Sequence, residues 1–185
     1  MTEKPLKVLS PISNTDIARL KTGVSVLISG VIYVGRDAAH RQLVQSLDKG
    51  EKLPFDLKGQ TIYYMGPSPA PPGKVIGSAG PTTSSRMDVF TPRLLEAGLK
   101  AMIGKGDRSQ AVRESIKKYK AVYLVATGGA AALISKSIKK SEIIAYEELG
   151  AEALLKLTVE DFPAVVAYDM YGGDLFEQAK AQYRR

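Results

Sequence analysis

From Thr91 onward the sequence alternates short apolar, β-rich runs with helical stretches, and that alternation leaves few folds open. Thr91 to Gly98 reads as a helix, with Pro92 at a first helical position behind a Thr cap and Gly98 as a C-cap. Ala101 to Ile103 reads as a brief strand, Ser109 to Lys120 as a helix and Val122 to Ala126 as a buried strand. Gly128-Gly129 opens a second helix, Ala130 to Ile138. Ile143 to Tyr146 and Ala164 to Tyr168 read as strands, and Leu175 to Gln182 as a terminal helix. The pattern predicts an α/β core.

The first half is richer in strands and turns. Val24 to Val34 is β-rich, with Gly30 marking a bulge or bend. Arg36 to Leu47 reads as a helix with Asp37 in its first turn, where a carboxylate is favoured, and Gly50 as its stop. Thr61 to Met65 is a short strand. Gly66 to Gly73 carries Pro67, Pro69, Pro71 and Pro72, so it is neither a regular helix nor a central strand. Lys74 to Ala79 reads as another strand. There is no repeat, linker or low-complexity tract, and residues 1–185 are expected to form a single compact domain. A chain of this length buries roughly 70% of its unfolded surface and needs no disulfide or metal to fold.

Composition narrows the chemistry. The 185 residues contain no cysteine and one histidine, His40. Disulfides, a thiolate nucleophile and a cysteine-ligated iron–sulfur cluster within these residues are excluded, and no metal site is expected. The formal net charge of +7 is compatible with nucleic acid, an acidic membrane surface or small anionic substrates as partners. The clustered lysines, Lys117 to Lys120 and Lys136 to Lys140, fall at predicted helix ends, where cations complement the dipole, and read as solvated faces. No recognisable nucleic-acid motif accompanies them. The N-terminus has no apolar signal region and no apolar run approaches a bilayer span, so no membrane is expected and the cytoplasm is the default location.

Four stretches could carry chemistry. Gly77-Ser-Ala-Gly-Pro-Thr-Thr-Ser-Ser-Arg86 sets four hydroxyl residues between a tight backbone and a cation. A helical turn there would put Thr82 and Arg86 on one face, where the guanidinium would favour the alkoxide. A Ser/Thr-rich turn with a helix cap is the plainer alternative. Gly104-Lys105-Gly106 allows close backbone approach to a ligand beside a point charge, or is simply a turn. It is not a Walker A sequence. Gly35-Arg36 stands at a strand-to-helix junction, where helix N–H groups and an arginine together suit a carboxylate. His40 follows one turn later, as a site residue or a structural one. Thr127-Gly-Gly-Ala130 looks like a phosphate-binding turn without the dinucleotide fingerprint.

Taken in order, these stretches resemble the β subunit, or C-terminal domain, of class I iron–sulfur fumarases and L-tartrate dehydratases. The matching pieces are Ile32 to His40, Tyr64 to Ala70, Val75 to Asp88, Phe90-Thr91-Pro92, Leu94-Leu95, Met102 to Gly106, Thr127 to Ala132 and Tyr146 to Gly150. The resemblance implies a swivelling β/β/α domain and a hydro-lyase that adds water reversibly to a dicarboxylate double bond, with fumarate and L-malate favoured over tartrate or mesaconate. It implies a [4Fe–4S] cluster on a cysteine-bearing α subunit, no cofactor bound by this chain, and activity only in a hetero-oligomer. A homodimer of the isolated subunit is compatible with this. Carried over by motif, Thr82 is the general acid or base. Arg36, Arg86 and Lys105 are substrate contacts, and His40 is a further candidate. A nucleic-acid-binding module and a dicarboxylate sensor are the competing expectations.

Overall fold

The computed structural model describes residues 4–126 and 131–183. The apolar run ending at Val34 forms β2 (Ser25–Val34), and the sheet is built around it. The first half of β2 pairs in parallel with β1 (Leu6–Ser10), and its last two residues pair in parallel with β3 (Thr61–Tyr63). β4 (Ala101–Gly104) and β5 (Val122–Val125) continue the parallel order. β6 is Ile138–Ala145, and the last strand, β7 (Leu154–Tyr168), runs antiparallel to β5, β2 and β6. Pairing of β7 with both β5 and β2 closes β2-β3-β4-β5-β7 into a barrel, with β1 and β6 along its outside. The expected α/β domain is what these residues form, with a closed sheet.

Successive strand residues point to opposite faces, and the two faces feed two cores. Val34, Tyr63, Ile103 and Leu124 belong to one cluster, with Val8 of β1 and Phe162 of β7. Tyr33, Ile62, Met102 and Tyr123 belong to the other. That second cluster is roofed by Leu43 of α2 (Asp37–Asp48), Leu94 and Leu95 of α3 (Thr91–Glu96), and Val112 and Ile116 of α4 (Gln110–Lys118). No helix among the described residues is long and apolar enough to cross a membrane.

Several expectations need correction. Lys74 to Ala79 is not a strand. The loop closes on itself through Ser68 N–H to Ser78 O and Lys74 N–H to Pro71 O, because its proline-rich neighbour lacks the N–H groups a ladder needs. Phe90, not Thr91, occupies the N-cap of α3. β6 begins five residues before Ile143 and β7 ten residues before Ala164. Lys139 and Lys140 therefore stand on a strand outside the barrel and both are exposed, although Lys139 Nζ still donates to Lys136 O in the last turn of the preceding helix. β1 and α1 (Asn14–Arg19), capped by Ser13, were not anticipated. The bulge expected at Gly30 is present: the β2–β7 register shifts between Ile28 and Gly30. Thr127-Gly-Gly-Ala130 lies outside the described residues. The helix that follows is α5 (Ala131–Ser137), and α6 is Leu175–Tyr183.

Candidate active site

β2, β3 and β4 are parallel and end at one rim of the barrel, the place where open α/β sheets bind ligands. Each chain exit there delivers part of the site. After β2 comes Arg36, the N-cap of α2. After β3 come Tyr64, Met65 and Gly66. After β4 come Lys105 and Gly106.

The hydroxyl-rich segment is threaded between two of these exits. Met65 bridges Pro81, and Thr82 N–H donates to Tyr64 O at 2.8 Å. On the other side Lys105 N–H donates to Thr82 O at 3.3 Å, and Ser84 N–H donates to Lys105 O at 3.0 Å. Thr82 is thus pinned from both sides and left partly exposed beside an exposed Lys105. A 3-10 turn, Ser84–Met87, follows and carries Arg86. Thr82 precedes that turn in extended chain, so the argument that helical spacing puts Thr82 and Arg86 on one face does not hold.

The two arginines are brought to the same rim, each beside a carboxylate of this chain. Arg86 Nε donates to Asp37 Oδ1 at 3.0 Å, and its Nη2 lies 2.8 Å from Oδ2. Arg36 Nη2 lies 3.3 Å from Glu152 Oε1. A Cβ at position 66 would overlap Arg36 Nη1, so only glycine lets the guanidinium lie against this backbone. The contacts Arg36–Gly66, Met65–Pro81, Thr82–Lys105 and Arg86–Asp37 close a circuit around the rim. Among the described residues Lys105 has no ion-pair partner, which leaves it the least engaged of the three cations.

His40 lies beneath the site. It is fully buried, and its Nδ1 is 2.8 Å from Arg36 O; a carbonyl only accepts, so Nδ1 carries the proton. Nε2 is buried without a protein partner and the ring meets Tyr64 edge-on. Burial lowers the His40 pKa to about 4, with the Arg108 charge acting in the same direction against the opposing effects of the Arg36 carbonyl and Asp37. The imidazole is neutral at pH 7 and has no exposed surface.

Sequence reasoning missed the residues that hold the loops. Arg108 is 3% exposed, donates to Asp88 Oδ1 at 2.6 Å and Thr91 Oγ1 at 2.7 Å, and lies between the rings of Tyr64 and Tyr123. The Tyr123 hydroxyl is 2.8 Å from Ser84 Oγ and 2.9 Å from Gly106 O, tying together the two segments that flank Thr82 and Lys105. Burial pushes its pKa up, which keeps the phenol protonated. Asp88 and Ser84 lie in a motif already singled out. Glu152 carried no local signal, being 114 positions from the α2 backbone it binds.

Two cavities of the described surface lie elsewhere. One of about 560 Å³ separates the loop around Val75 and Ile76 from Lys136 and Ile138, and one of about 160 Å³ lies between α4 and the 172–174 turn. Neither is lined by Arg36, Thr82, Arg86 or Lys105. Those four form an open face, suited to be half of a cleft.

A family model described as "Fumarase C-terminus" matches residues 2–179. The chain belongs to the fumarase C-terminus family. Its relatives include a class I, aerobic fumarate hydratase of Salmonella typhimurium, 45% identical over 168 residues, and fumarate hydratase 2 of Leishmania major, 39% identical over 168 residues. Each alignment covers 90% of this chain but 29% and 30% of the relative, so the chain spans less than a third of those enzymes. A Methanocaldococcus jannaschii protein named as a candidate L(+)-tartrate dehydratase subunit beta is 38% identical over 173 residues, covering 90% of this chain and 89% of its own length. Within this fumarase C-terminus chain, the rim segments are those on which the sequence resemblance rested.

Proposed function

We propose that this chain is the β half of an iron–sulfur-dependent hydro-lyase that interconverts fumarate and L-malate. L-tartrate dehydration and mesaconate hydration are alternative reactions of the same kind. The observation that carries the reading is the rim itself: three cations, Arg36, Arg86 and Lys105, stand on segments that meet at one rim with a backbone-fixed Thr82, in a chain whose relatives include named fumarate hydratases. A dicarboxylate brings two negative charges to that face. Arginine forks suit carboxylates, and fixed cations stabilise charge developing next to a carboxylate when a proton leaves the α carbon.

In this reading Thr82 gives or takes the proton at carbon. Its ordinary pKa makes it a weak base, so a cation must favour the alkoxide. Asp37 engages Arg86, while Lys105 shares backbone hydrogen bonds with Thr82 and lacks an ion-pair partner among the described residues. Lys105 is therefore the cation least committed to another partner, and we assign it that task. Arg36 and Arg86 bind the substrate carboxylates.

The residues present do not suit an iron–sulfur cluster. There is no cysteine in the sequence, and among the described residues no group of three or more His, Cys, Asp and Glu side chains could hold a metal ion. We place the [4Fe–4S] cluster on a cysteine-bearing α subunit that closes the other side of the cleft in a hetero-oligomer.

Anaerobic reconstitution with such an α subunit, followed by assays with fumarate, L-malate, tartrate and mesaconate, tests the reading. Thr82→Ala is expected to lower kcat by about 10²–10⁴-fold with a smaller change in KM. It should also abolish deuterium exchange at the carbon α to the carboxylate of L-malate, with assembly and cluster content intact. Wild-type exchange in that variant would leave Thr82 as a structural residue. No turnover of any dicarboxylate by the wild-type complex would overturn the hydro-lyase reading.

A further inference from the structure

Arg36 is held by a carboxylate to which nothing above gives a role in the reaction. Glu152 ends the second of two short 3-10 turns within Glu147–Glu152, separated by a kink at Gly150, and Ala153 then leads into β7. Its Oε1 lies 3.3 Å from Arg36 Nη2, and its Oε2 accepts from Ala38 N–H at 3.0 Å. One carboxylate therefore bridges the guanidinium and the first turn of α2. The need for it follows from the sequence. The N-cap of α2 is Arg36, whose side chain has no acceptor, so the free N–H groups of the first turn require an acceptor from elsewhere.

Glu152 is well anchored for this. Ala153 and Leu154, the next residues, are buried, and Ala153 N–H donates to Gly150 O at 3.0 Å. On its other side the Arg36 guanidinium lies against Gly66. The fork is thus enclosed by Gly66 and Glu152, and the Arg36 side chain is only 22% exposed.

We propose that Glu152 is a positioning residue of the substrate-carboxylate site: it fixes the Arg36 fork and the first turn of α2 in one geometry before the ligand arrives. The inference rests on the reading of Arg36 as a substrate ligand. Two effects of removing the Glu152 charge oppose one another. Coulomb attraction alone predicts tighter anion binding, because Arg36 loses its neutralising partner. Preorganisation predicts weaker binding, because a released, rotamer-rich side chain must be ordered by the ligand. In this proposal the second effect prevails: the ordering cost of a released Arg36 outweighs the gain in attraction.

Glu152→Gln separates the two effects. The amide oxygen still accepts from Ala38 N–H, so the helix start is kept, while the negative charge facing Arg36 is lost. In the reconstituted two-subunit enzyme KM for the dicarboxylate should rise roughly 5- to 10-fold, with kcat within about twofold. An unchanged or lowered KM would overturn the proposal. A second readout needs no turnover: nitrogen-15 NMR of the Arg36 guanidinium in the isolated chain, assigned with Arg36→Lys. Hindered rotation is expected in the wild type and averaging in Glu152→Gln; identical spectra would also overturn it. A wild-type complex inactive on every dicarboxylate refutes the hydro-lyase reading instead, and the guanidinium spectra then decide whether Glu152 positions Arg36.

Discussion

At the scale of single residues, the rim separates groups that keep some exposure from buried groups beneath them. His40 belongs to the second class, and its burial has a consequence in solution. Its pKa falls from an ordinary 6.5 to about 4 in the folded chain. Between those values the unfolded chain binds a proton that the folded chain does not, so stability rises with pH across the window. The contribution is fully present above about pH 6.5, is lost progressively as pH falls toward 4, and is on the order of 3 kcal/mol. His40→Asn keeps a short donor for the Arg36 carbonyl but does not titrate. Urea unfolding between pH 4 and 7 should show a steeper pH dependence in wild type than in the variant. Equal slopes would mean that His40 titrates normally in the fold. Burial of this residue was not legible beforehand, because a lone histidine on a helix gives no sign of which way it faces.

At the scale of elements, the glycines and hydroxyls of the rim act as a spacing device. A Cβ at position 104 would overlap Ser84 Oγ, so Gly104 lets the hydroxyl segment dock against β4. Gly104→Ala should destabilise the chain by about 1–3 kcal/mol through overpacking. The clash is shared with Ser84, so Ser84→Ala should cost clearly less in the Gly104→Ala background than in wild type, where it also breaks the contact with Tyr123. Additive urea-unfolding energies would refute the coupling. The same scale shows what could be read in advance. The helices of the second half and the short buried strands declared themselves through apolar period, caps and glycine stops. The first part of β7 did not. It runs through Glu160, Asp161 and Pro163, residues that read as a break, and Asp161 does take a left-handed conformation opposite the β2 bulge. Tertiary pairing with β2 and β6 overrides that local signal. The motif stretches gave four rim residues in advance. Their carboxylate partners could not be read as such, because ion pairs such as Arg36–Glu152 are set by closure of the barrel and leave no pattern in sequence.

At the scale of the whole molecule, the barrel has two chemically different ends. Arg36, Thr82, Arg86 and Lys105 gather where the parallel strands finish. The other end is tied by Asp169, which accepts from Thr22, Tyr171 and Gly173 backbone N–H groups. Four hydrogen bonds, counting the Thr22 hydroxyl, hold its pKa down against the opposing effect of burial. That end is a satisfied structural turn. The rim has two arginines paired with carboxylates of this chain and an exposed Lys105, and a partner is expected to close it. Val89, three residues after Arg86, is 79% exposed, an apolar side chain open to a partner. Hydrogen exchange of the free chain and of the reconstituted complex tests this placement. Amides of Thr82, Ser84, Asp88 and Lys105 already donate to backbone carbonyls, so added protection should appear at the exposed residues beside them, 83, 85, 86 and 89 and Gly106. The 169–173 turn should exchange equally in both states. Protection at that turn with none at the rim would place the partner on the opposite end of the barrel and would remove the shared cleft on which the roles of Arg36, Arg86 and Lys105 depend.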